Sequence, residues 1–261
     1  MKLLLLDVGN TRLKWSLAYE RRLARAGIVE RAPARRFEPQ LRALLRRAAG
    51  ADRILVCSVA GRAFDRRLAT LARAAGAAVP EFVRSRRRAG GVVNGYLEPW
   101  RLGVDRWVAL IGARHLYPRR ALCVVGAGTA LTVDLLDERG RHLGGVIVPG
   151  PELMVHALLA GTAGIGRRAR GGARAPAAAG GLLARHTRAA IEGGALNACA
   201  GVIERVRAAG RRRLGRAPLL LLSGGAAPRL RPLLGATTRA RADLVMQGLL
   251  ALAAPGVSSG R

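Results

Sequence analysis

One short pattern occurs twice, about half the chain apart, and limits the possible folds more than any other feature. Near the start stands Leu4-Leu5-Leu6-Asp7-Val8-Gly9-Asn10-Thr11, and later comes Cys123-Val124-Val125-Gly126-Ala127-Gly128-Thr129-Ala130. In each, a hydrophobic strand enters a turn of Gly and Thr, and a second strand-like run follows, Leu13 to Leu17 and Leu131 to Leu136. Glycine at such a bend lets a phosphate approach backbone N–H groups with no side chain in the way. Two such hairpins predict a duplicated domain that holds a nucleoside triphosphate between its halves, which points to phosphoryl transfer.

The rest of the pattern agrees with two α/β halves. Strands are expected over 2–8, 11–18 and 24–29, a helix over 37–49 stopped before Gly50, a strand over 53–59 and a helix over 62–75. A short strand follows near 81–84, and the basic, glycine-containing segment 85–91 reads as a mobile surface loop. Residues 103–116 read as a helix, then strands over 121–126, 129–137 and 142–148. Pro149-Gly150-Pro151 opens a helix to about 159. Residues 161–181 are the least regular stretch; Arg167, Arg168, Arg170 and Arg174 there suit either an anion-binding lid or a solvated loop, and the second reading is favoured. A long helix over 186–213, with a possible break at Gly193-Gly194, a strand over 219–222 and a helix over 243–253 complete the chain. The order βββ-αβα in each half predicts packed α/β units with a cleft between them.

Composition narrows the partners. The formal charge is +29, and all but Lys2 and Lys14 of the 45 basic residues are arginine. A polyanion partner is one reading and an arginine-rich solvated surface the other. The even spread of arginine and an aromatic content of 3 % favour the second and argue against nucleic acid. The three cysteines stand singly without CxxC spacing, which suits reduced thiols in the cytoplasm. The opening leucine run is broken at Asp7, too early for a signal peptide, and nothing approaches the ~20 apolar residues of a membrane span. The four histidines have no metal-ligand spacing and read as surface or capping residues.

Three constellations could carry chemistry. Asp7 ends a buried strand before small polar residues; it suits a magnesium ligand, with Asn10 and Thr11 as phosphate donors and Lys14 as a compact charge for a transferring phosphate. The alternative is a tight hairpin in which Asp7 and Asn10 only bond their own turn. In Leu102-Gly103-Val104-Asp105-Arg106-Trp107, Asp105 could act as a general base beside an anion-holding guanidinium, or could simply answer the helix dipole with Arg106 solvated. Gly224-Gly225, after the last strand, could admit an adenosine or be plain turn chemistry.

Taken together, the chain resembles the type III pantothenate kinases, a family of the acetate and sugar kinase, heat-shock cognate and actin superfamily. The resemblance rests on DVGNT with Lys14, on Tyr96 to Pro99 followed by LGVDRW at 102–107, on AGTALTVDLLD at 127–137, HLGGVIVPG at 142–150, HTRAAIEGG at 186–194, LSGGA at 222–226 and ADLVMQGLL at 242–250. It implies an α/β fold of duplicated actin-like ATPase (ribonuclease H-like) domains with a cleft between them. It also implies an N-terminal half, 1–116, and a C-terminal half, 117–261, that carries the second phosphate loop, the adenosine side and the dimer contact. The implied reaction is phosphorylation of pantothenate by ATP with Mg2+, the first step towards coenzyme A, in a cytoplasmic homodimer that needs K+ or NH4+. Asp105 would be the general base; Tyr96, Gly103, Arg106 and Thr187 would bind pantothenate. Asp7, as metal ligand, with Gly9, Asn10, Thr11 and Lys14 would organise the transferring phosphate. Gly128, Thr129 and Thr132 would form the second phosphate hairpin, and Gly224 and Gly225 the adenosine side. Two departures stand out: Gly126 where the family usually has Asp, and Ala226 where Asp often follows the glycine pair. Gly126 and the +29 charge motivate a rival reading, a non-catalytic regulatory or nucleic-acid-associated protein on this scaffold; a third reading is a kinase for another small hydroxy acid or sugar, against which the set Tyr96, Asp105 and Arg106 argues.

Overall fold

A computed structural model of the chain describes residues 1–20, 22–169, 182–235 and 237–254. The chain forms two compact units, one of Met1–Arg119, Arg139–His142 and the residues from Asp243, the other of Arg120–Glu138 and Leu143–Ala242. The closing residues and a four-residue excursion therefore return to the first unit, so neither unit is a continuous half of the chain with a boundary at 116/117.

The first unit opens with β1 (Lys2–Val8), β2 (Arg12–Tyr19) and β3 (Arg22–Glu30), then α1 (Ala34–Arg47), β4 (Arg53–Ser58), α2 (Arg62–Ala74) and β5 (Pro80–Phe82). The sheet order is β3-β2-β1-β4-β5, with β1 antiparallel to β2 and parallel to β4. Because side chains alternate across a strand, Leu4, Leu6 and Val8 share one face, and they pack with Leu41, Leu44 and Leu45 of α1 and Leu68 and Leu71 of α2. Leu3, Leu5 and Asp7 belong to the opposite face. In the second unit the arrangement recurs: β8 (Leu122–Ala127), β9 (Ala130–Leu136) and β10 (His142–Pro149), then helices, β11 (Leu219–Ser223) and β12 (Arg239–Ala240), in the order β10-β9-β8-β11-β12. Preceding it are β6 (Arg88–Ala89), β7 (Val92–Val93) and α3 (Val104–Leu116) of the first unit. After β10 come α4 (Pro151–Gly161), α5 (Ala163–Arg168) and α6 (Thr187–Leu214), then β11, α7 (Ala227–Leu230) and β12, and the chain closes on α8 (Leu244–Leu252). Cys123, Val125 and Ala127 of β8 pack with Leu196, Cys199 and Ile203 of α6. The sheets are two copies of one topology.

On the Asp7 face of the first sheet, α8 packs against β1 and α3 against β4. The two helices cross at paired glycines. A Cβ on Gly112 would lie 2.0 Å from the Leu244 carbonyl oxygen, and one on Gly248 would lie 2.0 Å from that of Val108. No residue with a side chain fits either position without parting the helices.

Three expectations need correction. Residues 85–91 are not a mobile loop: β6 and β7 form a hairpin turned by Gly90 and Gly91, both at positive φ as a two-residue type I′ turn requires. The long helix α6 runs unbroken through Gly193-Gly194, because packing against the sheet outweighs the ~1 kcal/mol that each glycine costs a helix. His142 is buried at 3 % exposure, whereas His115, His156 and His186 are exposed. Of the arginines in 161–181, Arg167 and Arg168 end α5, while Arg170 and Arg174 lie outside the described residues. No described helix is long and apolar enough to cross a membrane.

Candidate active site

Register alone assembles the first part of the site. Asp7 lies opposite Lys14 on β2 and Cys57 on β4, so all three belong to the face that α3 covers. Burial pushes the Asp7 carboxyl from its ordinary 3.8 up to about 6; Lys14 pulls it down and the Asp105 carboxylate pushes it up further. The same two carboxylates, with burial as the larger cause, hold the Cys57 thiol well above its usual range, which makes it unreactive. Asp7 and Asp105 therefore share one electrostatic neighbourhood within one unit.

Asp105 stands in the first turn of α3, where its Oδ1 accepts a hydrogen bond from the Arg106 N–H at 2.9 Å. A Cβ on Gly103 would lie 2.7 Å from that oxygen, so the glycine makes room for the carboxylate. Arg106 is not solvated but 6 % exposed. Its Nη1 donates to the Tyr96 hydroxyl at 2.8 Å, and its guanidinium carbon lies 5.5 Å from the Tyr96 ring centroid. Tyr96 in turn stacks on His142, with centroids 5.8 Å apart and planes 18° apart.

The loop carrying Tyr96 is held from below. Asn94, 1 % exposed, donates to the carbonyls of Arg86 and Pro99 and accepts from the Tyr96 N–H. Arg87 donates to the carbonyls of Asn94, Tyr96 and Leu97, and the Ser85 hydroxyl to that of Leu102. Sequence reasoning missed Asn94, Arg87 and His142. The Asn94-Gly95 pair carries a turn signal that could have marked the first; nothing local marks the other two.

The first turn is open to a ligand. Gly9 N–H donates to the Arg12 carbonyl at 2.9 Å, Asn10 and Thr11 are exposed, and the Asn10 and Thr11 N–H groups donate to no described group. Neither the Asp7 carboxylate nor the Asn10 amide bonds to the turn among the described residues, so the self-satisfied hairpin is not what forms. An anion can meet these free donors without displacing a protein partner.

In the second unit the remaining phosphate-loop candidates meet. Gly128 N–H donates to the Ala130 carbonyl at 3.0 Å, and Ala226 N–H to that of Ala127 at 3.0 Å. Gly224, at φ 101°, lets the glycine-pair turn close on this hairpin, since a Cβ there would lie 2.2 Å from the Ala127 oxygen. Thr129 and Gly225 are exposed. Thr132 pairs with Gly126 across β8 and β9. Gly126 precedes its turn glycine by two residues, on the face opposite Val125 and Ala127, so it is the counterpart of Asp7. A Cβ at Gly126 would lie 2.8 Å from the Thr132 Oγ1 alone. Thr187, half-buried at the start of α6, shares none of these contacts.

Among the described residues no group of three or more His, Cys, Asp or Glu could hold a metal ion. Mg2+ keeps several waters and binds through one or two carboxylates and substrate phosphates, and Asp7 offers a carboxyl of that kind. A carboxyl held near 6 by burial, beside a second carboxylate, gains most from such a cation.

Comparison with known proteins shows the family and the fold. The chain is 37 % identical to a type III pantothenate kinase of Acidovorax ebreus over 97 % of both chains, and 39 % identical to one of Aromatoleum aromaticum over 96 % of this chain and 97 % of that one. Among solved structures, a protein described as a Baf family transcriptional activator from Campylobacter jejuni superposes with a TM-score of 0.58 at 17 % identity, covering 94 % of each chain. MreB5 of Spiroplasma citri bound to ADP superposes with a TM-score of 0.52 at 10 % identity, covering 97 % and 96 %. These likenesses and the repeated sheet make the fold a duplicated actin-like one. The family model for type III pantothenate kinase matches residues 3–209. With that match and relatives of this identity over nearly the whole length, the chain belongs to the type III pantothenate kinase family.

Proposed function

We propose that the chain transfers the γ-phosphoryl group of ATP to the primary hydroxyl of pantothenate, giving 4'-phosphopantothenate and ADP. Family membership supports the reaction, and one observation carries the assignment of residues: Asp105 lies close enough for its charge to bear on Asp7. Asp105 is the general base; it takes the hydroxyl proton as the oxygen bonds to phosphorus and the bond to ADP breaks. Arg106 binds the anionic or amide end of pantothenate, Tyr96 and Gly103 line the same pocket, and Thr187 adds a contact. The N–H groups of Asn10 and Thr11 donate to phosphate oxygens, Gly9 leaves room for their approach, and Lys14 neutralises the transferring group. Gly128, Thr129 and Thr132 hold the other phosphates, and Gly224 and Gly225 accept the adenosine. Asp7 would hold Mg2+, which would supply neutralisation of phosphate charge.

K+ or NH4+ as activator, a homodimer and a cytoplasmic location complete the reading. Exposed apolar side chains such as Leu182, Leu183 and Ile147 support the homodimer. The test is ADP release by the purified protein with ATP, Mg2+ and K+ or NH4+, with pantothenate or with other small hydroxy acids and sugars. Release that requires pantothenate supports the reading. Release with another hydroxy acid instead, or none together with salt-sensitive DNA binding, refutes it.

A further inference from the structure

Arg31 is engaged by no step described so far, yet it takes every carbonyl of the first phosphate turn. Its backbone N–H donates to the Thr11 carbonyl at 2.9 Å. Its Nη1 donates to the Gly9 carbonyl at 2.6 Å and to the Asn10 carbonyl at 3.3 Å. The guanidinium is itself fixed: its carbon lies 4.8 Å from the Phe64 ring centroid and 5.9 Å from that of Phe37. Two of the chain's three phenylalanines thus stand at this one cation. In so aromatic-poor a protein that is a concentrated investment in one side chain.

We propose that Arg31 is a positioning residue for ATP, an inference that rests on the phosphate role of the Gly9–Thr11 turn given above. A turn whose carbonyls and amides compete for the same side cannot present a clean set of donors to an anion. Arg31 draws the three carbonyls to itself, and the amides of Asn10 and Thr11 are left with no described partner. The peptide planes are held in the orientation that a phosphate requires, and the nest is formed before ATP arrives. The guanidinium also sets a fixed positive charge behind the turn, which adds to the attraction without touching the nucleotide. A lysine could supply the charge but not a guanidinium, whose delocalised, weakly hydrated charge suits the place beside Phe37 and Phe64.

The test compares wild type with Arg31→Met, which keeps an unbranched side chain against the rings but has no donors, and with Arg31→Lys. Thermal unfolding, KM for ATP, KM for pantothenate and the Kd for Mg-ATP are measured on each. Arg31→Met is expected to raise KM and Kd for ATP about tenfold or more, as befits lost hydrogen bonds from a charged group, with KM for pantothenate within about twofold; Arg31→Lys is expected to fall between. If Arg31→Met does not fold, Arg31→Lys carries the test by the same selective rise. Added guanidinium should restore part of the ATP affinity of Arg31→Met. Unchanged ATP affinity in a folded variant, or parallel losses for both substrates that track the fall in Tm, overturns the proposal. A wild-type protein that binds Mg-ATP but releases no ADP with pantothenate would instead refute the kinase reading, leaving the Kd comparison to decide Arg31.

Discussion

Asp7 should weaken the fold that it serves, and the effect has a pH signature. Its carboxyl is displaced from 3.8 in the unfolded chain to about 6 in the folded one, chiefly by burial. Each unit of displacement corresponds to about 1.4 kcal/mol, so ionisation in the folded state costs about 3 kcal/mol more than in water. Because the folded pKa is the higher one, the folded protein binds the extra proton. The contribution is fully present below about 4 and is lost as pH rises through about 6. Asp7→Asn has no such titration. Unfolding by urea, without nucleotide or Mg2+, should therefore show the variant gaining on wild type by about 1.4 kcal/mol between pH 5 and pH 7.5, since roughly half of the effect remains at pH 5. Any fixed difference between amide and acid is independent of pH and drops out of that slope. A difference that stays level, or that shifts in favour of wild type, would mean that the carboxylate is not destabilised by its surroundings.

Other perturbations act on separate parts of the account. Tyr96→Phe removes the 2.8 Å bond from Arg106 but keeps the stack on His142; KM for pantothenate should rise about five- to tenfold with kcat nearly unchanged, and a fall in kcat alone would contradict this. Gly126→Asp places a carboxylate at the counterpart of Asp7, and the Cβ that it adds meets only the Thr132 hydroxyl; activity at low Mg2+ or K+ should increase, and an unchanged cation dependence would show that no carboxylate is missed there. Gly112→Ala drives a methyl group into the Leu244 carbonyl and should destabilise the protein by about 3 kcal/mol in urea unfolding, whereas a loss below about 1 kcal/mol would show that the crossing of α3 and α8 is pliable.

Much of this was legible because the informative signals are local. The apolar runs ending at Asp7-Val8 and at Gly126-Ala127 and the glycine bends after them mark strand and turn in a few residues, and they do so twice. The pairing of Gly126 with Asp7 follows from the repeat itself. What was missed depends on distant residues. His142 looks like an ordinary strand opening, and only the fold brings its ring onto Tyr96, 46 residues earlier. The β6–β7 hairpin has strands of two residues, too short for any periodicity. The break expected at Gly193-Gly194 fails because helix propensity is weak beside tertiary packing. The apolar pattern of α8 announces a buried helix but not which sheet it covers, and it returns to the first. Arg31 is one arginine among 43 by sequence; its three carbonyl contacts alone set it apart.

The central claim is that Asp105 moves a proton for a phosphate transfer at a centre shared with Asp7. Rapid mixing of enzyme, Mg2+, K+ and γ-labelled ATP with pantothenate, in wild type and in Asp105→Asn, follows the label directly. Labelled phosphopantothenate should form with wild type, and Asp105→Asn should form it 100- to 10,000-fold more slowly, roughly the worth of a general base, while binding ATP as tightly. Transfer by Asp105→Asn at a near-normal rate would contradict the account.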